Sequence, residues 1–232
     1  YTARGADAQV SATDLDLASD HVSFTVRSGG QCQAVTLGIP GGFTIYNALA
    51  VIGASLELGL SLPEIAAALT NAKGVKGRVE VVPTPGKPYT ILIDYAHTPD
   101  GLENVLRAVQ GFCKGRVIAV FGCGGDRDPI KRPIMGRIGV ELSDLAVITS
   151  DNPRTEDPMA IIDQIVAGFA GTEKPYVVIE NRREAIRWAM DHAEKDDIIV
   201  LCGKGHETYQ ILGTEKTHLD EREEVAAHLA GH

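Results

Sequence analysis

From residue 77 onward the chain alternates between short apolar runs and helical patterns, and that alternation constrains its fold more than any other feature. The apolar runs are Ile91–Asp94, Val117–Phe121, Leu145–Ser150, Tyr176–Ile179 and Ile198–Cys202. The helical stretches between them are Pro99–Phe112, Ile130–Leu142, Met159–Phe169 and Arg182–His192. Runs that are apolar along their whole length predict strands buried on both faces. The reading is therefore α/β: a Rossmann-like, mostly parallel sheet with helices on both faces. Thr208–Leu219 predicts a closing hairpin and Glu221–Leu229 a last helix.

Ahead of this region the pattern differs. Val22–Val26 alternates, Ser28-Gly29-Gly30 turns, and Ala34–Leu37 resumes, which is a hairpin signature. A helix is expected from Ile45 to Leu58, ending at Gly59. A second follows Ser61, a natural N-cap, and runs to about Ala72. Lys73-Gly74-Val75-Lys76-Gly77-Arg78 reads as a flexible, glycine-punctuated link. It divides the chain into residues 1–76 and residues 77–232. The opening Tyr1-Thr2-Ala3-Arg4 lacks Met and any signal-peptide pattern, so a longer parent protein is expected.

Composition matters for what it excludes. The formal net charge is −9, with no basic run, so neither nucleic acid nor an anionic membrane surface is expected as a partner. No apolar stretch is long enough to span a membrane. Cys32, Cys113, Cys123 and Cys202 form no C-x-x-C pair, so no metal site is expected. Unpaired cysteines fit a reducing, cytoplasmic compartment.

The chemistry is concentrated at the strand ends. After the first run come Asp94-Tyr95-Ala96-His97-Thr98-Pro99. After the second come Gly122-Cys123-Gly124-Gly125-Asp126-Arg127, after the third Asp151-Asn152-Pro153-Arg154, and after the fifth Gly203-Lys204-Gly205-His206-Glu207. In an open parallel sheet these ends share one edge, and ligands bind there. Asp151 suits an ammonium, and Arg154 offers a planar fork to a carboxylate, so the set suits an amino acid. The glycines after the second run also permit close backbone approach by a ligand. A G-x-G-x-x-G fingerprint begun at Gly122 fails, because Arg127 stands where the third glycine belongs. No G-x-x-x-x-G-K-[ST] cradle occurs either. Taken singly, each residue has a bland reading too. Asp94 serves a ribose or a metal, or caps the next helix. His97 is a base or a hydrogen-bonded loop histidine. Arg78 holds a phosphate or is a solvated charge, and Asn47 reads a base edge or faces water.

Together these stretches resemble the Mur ligase family, and within it the members that add the third peptide residue to the peptidoglycan precursor. The matching segments are Tyr46-Asn47-Ala48-Leu49-Ala50, Gly77-Arg78-Val79-Glu80, Asp94–Pro99, Phe121–Arg127, Lys131-Arg132-Pro133, Asp151–Arg154 and Gly203–Glu207. The resemblance implies that residues 77–232 are the family's C-terminal domain, preceded by the tail of its central ATPase domain. It implies an ATP- and Mg2+-dependent ligase that joins meso-diaminopimelate to UDP-MurNAc-L-Ala-D-Glu through an acyl phosphate. ATP would meet Asn47, Arg78, Asp94 and His97. The amino acid would meet Arg127, Asp151, Asn152, Pro153, Arg154, Gly203 and Glu207. No catalytic residue and no metal ligand is assigned within the chain, and the chain alone is expected to be inactive. Arg154 favours meso-diaminopimelate, whose far end carries a second carboxylate, over lysine. The alternatives are a lysine-adding Mur ligase, a folylpolyglutamate synthase relative, or a non-catalytic amino-acid-binding module.

Overall fold

The computed structural model describes residues 1–3 and 8–231. Arg4 of the opening segment lies outside the described residues. The chain divides into two compact units, Tyr1–Gly74 and Val75–His232.

The first unit is an antiparallel sheet in the order β1 (Val10–Leu17), β2 (Val22–Ser28), β3 (Gln31–Leu37), followed by α1 (Gly42–Glu57) and α2 (Leu62–Thr70). Alternate residues of β2, namely Val22, Phe24 and Val26, turn inward. They meet Ile45, Leu49 and Ile52 of α1 and Ile65 of α2 in one core. Ser61 begins α2 as expected, with Glu64 reaching back to accept from its N–H at 3.0 Å. β1 is an addition to the predicted hairpin.

The second unit carries a six-stranded sheet in the order β4-β5-β9-β6-β7-β8. Its strands are β4 (Glu80–Val82), β5 (Thr90–Asp94), β6 (Val117–Phe121), β7 (Leu145–Ile148), β8 (Tyr176–Val178) and β9 (Ile198–Cys202). All pairings are parallel except β4 with β5. Between them run α3 (Pro99–Gln110), α4 (Lys131–Glu141), α5 (Pro158–Val166) and α6 (Arg182–His192). The hairpin β10 (Tyr209–Leu212) and β11 (Glu215–His218) and the helix α7 (Glu221–Leu229) close the chain. Every residue of β6 and β9 is buried, which accounts for their unbroken apolar sequences. Ile199 and Leu201 pack on one face with Ala185, Ile186 and Ala189 of α6 and Val225 of α7. This is the mostly parallel α/β architecture expected from the alternation.

Two local expectations are overturned. The link at residues 73–78 is not a free tether at Gly77. Gly77 takes φ +73°, and a Cβ there would come within 2.3 Å of the Gly205 backbone. Its N–H donates to Glu80 Oε2 at 2.5 Å, and its carbonyl accepts from Tyr95 N at 2.8 Å. Gly77 is therefore glycine because another backbone passes against it. Asp94 does not cap α3. Thr98 does, accepting from Gly101 N at 3.2 Å.

Candidate functional site

A cleft of about 440 Å3 opens at the carboxyl ends of the parallel strands. It is smaller than two open hollows on the first unit, of about 650 and 640 Å3. Its position is what distinguishes it, since ligands of such sheets bind outside the strand ends. Of the residues singled out above, His97, Arg127, Asp151, Asn152, Arg154, Gly203 and Glu207 all line it, joined by Tyr95, Asp128, Lys131 and Tyr209. Pro153, within the Asp151–Arg154 turn, is buried and does not line the space. Arg78 and Asp94 lie outside its lining, and Asn47 is an exposed residue of α1 in the first unit.

The turn after β7 is built by its neighbours. Thr149 N donates to Phe121 O at 2.9 Å, which aligns it with the end of β6. The Asn152 amide is used on both sides: Nδ2 donates to Glu207 Oε2 at 3.1 Å, and Oδ1 accepts from Ile211 N at 3.0 Å and Lys204 Nζ at 2.5 Å. Arg154 sits at φ +53°, a conformation uncommon for a side-chain-bearing residue. The β10–β11 hairpin holds it there, for Arg154 N donates to Ile211 O at 3.1 Å and Gly213 N donates to Arg154 O at 2.8 Å. Gln210 Nε2 adds a bond to Asp151 O at 2.6 Å. The hairpin thus forms the support of the turn that carries Asp151, Asn152 and Arg154.

The glycines after β6 face that turn. A Cβ on Gly122 would lie 2.0 Å from Thr149 O, and one on Gly125 would lie 1.9 Å from Pro153 O. The close approach read from their sequence is therefore to a neighbouring loop, before any ligand is considered. Arg132 locks the two loops from below. It is 1% exposed and forks onto Glu156, Nη1 to Oε2 and Nη2 to Oε1, both at 2.8 Å. Glu156 Oε1 also accepts from Asp126 N at 2.5 Å. Arg127 stands exposed beyond this bracket, with Nη1 on its neighbour's carbonyl at 2.9 Å.

Asp151, read from sequence as a partner for an incoming ammonium, already has one. Lys204 Nζ lies 3.0 Å from its Oδ1, with the Lys204 side chain fully buried. Burial pushes the Asp151 carboxyl up, but the Lys204, Arg182 and Arg154 cations outweigh it and hold the group below its ordinary range. Sequence reasoning passed over Lys204. The signal available was its place between two glycines directly after an all-apolar strand, where a long side chain has only the protein to turn into.

Beside the cleft, Arg78 lies 5.3 Å over the Tyr95 ring, and His97 meets the same ring edge-on at 4.6 Å. His97 Nδ1 is also 2.8 Å from Tyr95 O. Arg78 and His97 are exposed. Asp94 is not: it is 7% exposed and accepts from Val79 N and Ala96 N, both at 2.8 Å. Burial raises its pKa despite those two bonds and the nearby Arg78. Among the described residues no group of three or more His, Cys, Asp or Glu gathers into a metal site.

The family described as "Mur ligase, glutamate ligase domain" matches residues 77–205. The chain belongs to the Mur ligase family. Among curated relatives it is 54% identical over 204 residues to the UDP-N-acetylmuramoyl-L-alanyl-D-glutamate--2,6-diaminopimelate ligase of Clostridium tetani, covering 87% of this chain and 41% of that protein. It is 50% identical over 220 residues to a ligase of the same description from Clostridium acetobutylicum, covering 94% of this chain and 45% of that protein. A solved structure carrying the same enzyme name superposes with a TM-score of 0.83 at 33% identity, over 99% of this chain and 47% of that one. The chain thus spans less than half the length of these relatives. The Mur ligase match covers β5 through β9, the part of the sheet whose ends form the cleft. Among the described residues no helix is long and apolar enough to cross a membrane.

Proposed function

We propose that the chain is the amino-acid-binding portion of a cytoplasmic Mur ligase that adds meso-diaminopimelate to UDP-MurNAc-L-Ala-D-Glu at the expense of ATP. Residues 77–232 act as the family's C-terminal domain, and residues 1–76 as the end of its central domain. The observation that carries this reading is the placement of Arg154, Arg127 and Glu207 around one cleft. Meso-diaminopimelate has a zwitterionic amino-acid group at each end. Binding its far end calls for a guanidinium and a carboxylate held at fixed separation, and Arg154 and Glu207 provide them. The nearer amine is left to attack the activated D-glutamate carbonyl, with phosphate leaving. Holding that amine in place is the chain's contribution to the rate.

The nucleotide is assigned to Asn47, Arg78, Asp94 and His97. The exposed Arg78 guanidinium fits a phosphate, and His97 flanks it across the Tyr95 ring. Asp94 acts at one remove, since its carboxylate holds the backbone of Val79 beside Arg78. ATP supplies the phosphoryl group. Mg2+ accompanies ATP in this reading, and no residue of the chain is assigned to hold it.

Calorimetric titration of the chain with meso-diaminopimelate and with L-lysine tests the reading. Saturable binding that prefers meso-diaminopimelate is expected. Equal affinity for the two, or none for either, would overturn it. The chain alone, offered ATP and both substrates, is expected to form no product, because it contains no phosphate cradle of the G-x-x-x-x-G-K-[ST] type.

A further inference from the structure

The ammonium of Lys204 is sealed from water and touches the cleft only through other residues. It lies 2.5 Å from Asn152 Oδ1, 3.0 Å from Asp151 Oδ1 and 3.6 Å from Glu207 Oε2. All three of those residues line the cleft, and Lys204 does not. A lysine is held out of water only where its charge is compensated. Here the compensation comes from the very groups expected to meet a ligand. The other cations near Asp151 are committed elsewhere. Arg182 gives Nε and Nη2 to Glu221 Oε1, at 2.9 and 2.6 Å, and Nη2 also to Cys202 O at 2.8 Å. Arg154 gives Nη1 to Gly125 O at 2.8 Å.

We propose that Lys204 is a positioning residue that sets the charge of the amino-acid cleft. By neutralising Asp151 from inside, it leaves Glu207 as the acid, and Arg127 and Arg154 as the cations, that a ligand meets. This rests on the function proposed above and deepens it, because the consequence is selectivity. With Lys204 in place the cleft tolerates a ligand with two carboxylates. Without it, Asp151 keeps only Arg182 and Arg154, both already bonded to other groups, and Glu207 loses its ion pair with Lys204, so the cleft becomes more negative. Asp151 and Glu207 would then repel the far carboxylate of meso-diaminopimelate and favour the lone far ammonium of lysine. The Asn152 amide would also lose the donor that fixes its orientation, and with it the bridge to Glu207.

The test is Lys204→Met, nearly isosteric and uncharged, titrated with both amino acids. Affinity for meso-diaminopimelate should fall about tenfold or more, as expected when one partner of a close buried charge pair is removed. Affinity for L-lysine should fall much less, or rise. Equal losses for the two, which a merely loosened loop would produce, would overturn the proposal, as would no loss. If Lys204→Met does not fold, Lys204→Met combined with Asp151→Asn decides the matter. Removing both charges should restore folding and much of the preference for meso-diaminopimelate. A double variant no better than the single one overturns the proposal. A ligand-free arm separates this inference from the reading beneath it. By carboxyl NMR, the Asp151 titration should move up in Lys204→Met, with Arg182, Arg154 and Glu207 as the remaining charged neighbours. An unmoved titration refutes the role of Lys204. If the unaltered chain binds neither amino acid, the functional reading falls, and the NMR result still decides whether Lys204 sets the charge at Asp151.

Discussion

Arg154 donates through Nη1 to the carbonyl oxygen of Gly125 at 2.8 Å, and Gly125 N donates to Asn152 O at 2.8 Å. The loops after β6 and β7 are thus joined in both directions. A long, flexible side chain is held in place before any ligand arrives, which reduces the entropy lost on binding. The guanidinium has one nitrogen engaged by the backbone, and Arg154 lines the cleft.

Arg154→Ala should therefore weaken binding of meso-diaminopimelate by about ten- to a hundredfold. A charge-assisted, bidentate contact contributes roughly 1.5–3 kcal/mol, and each ~1.4 kcal/mol is a factor of ten. L-lysine, without the far carboxylate, should lose less. Arg154→Lys should restore only part of the loss, because an ammonium cannot hold Gly125 O and a carboxylate in the same plane. Calorimetry with both ligands on all three proteins checks this. Equal losses would make Arg154 a purely structural residue.

Gly125→Ala should damage the same site by another route. The added methyl would sit 1.9 Å from Pro153 O, so the loops must part. Loss of measurable meso-diaminopimelate binding is expected, together with a lower melting temperature. Gly213→Ala provides a comparison: unlike Gly125 it sits at positive φ, +61°, but a Cβ there meets nothing within 4 Å. Backbone strain alone should cost it on the order of 1 kcal/mol and spare most of the binding.

How much of this was legible beforehand follows from where each residue's partners lie. β9 and α6 have the bounds read from the sequence, because an all-apolar run and a capped amphipathic helix declare themselves locally. The gathering of Arg127, Asp151, Arg154 and Glu207 was legible through the rule that parallel strands share an edge. Lys204 was not, because lysines are almost always exposed and its three partners lie in loops from two strands. Gly77 was read as slack for a similar reason. What demands glycine there is the backbone of Gly205, far along the chain. The three-residue β4 is too short to show a period and exists because β5 offers it an edge.

Acid should unfold the second unit partly through Asp197. Its side chain is 2% exposed and accepts from Arg116 Nη2 and N, both at 2.7 Å, and from Glu194 N at 2.8 Å. Burial pushes its pKa up, but these bonds outweigh burial and bring it below its ordinary value. A folded-state pKa below the unfolded one gives stability that is full above about pH 4 and lost as pH falls through the folded value. The denaturation midpoint should be flat from about pH 5 to 7 and drop below about pH 4. Asp197→Asn should be less stable at pH 7 and should lose less on acidification. A variant with an unchanged acid slope would remove Asp197 from the account.

Arg182 and Glu221 form the most deeply buried ion pair in the described structure, with both side chains at 0% exposure. Arg182 opens α6 and Glu221 opens α7, so the pair joins two helices on one face of the sheet, and Nη2 reaches Cys202 O at the end of β9. Breaking it from one side leaves a bare charge in the core. Glu221→Gln should cost about 3–5 kcal/mol in denaturant unfolding, since the guanidinium cannot reach water. Replacing both residues should behave differently. Arg182 Nη1 and Glu221 Oε2 have no hydrogen-bond partner, so the pair does not recover the full cost of its desolvation. Arg182→Met with Glu221→Leu removes both charges and keeps the volume, and its stability should lie near that of the unaltered chain. The double variant should still disturb the cleft slightly, because Arg182 is one of the cations that hold Asp151 ionised. Unfolding curves of the two variants, with meso-diaminopimelate titrations beside them, check both statements. If the double variant were as unstable as Glu221→Gln, the pair would be a net source of stability, and the argument from desolvation would fail.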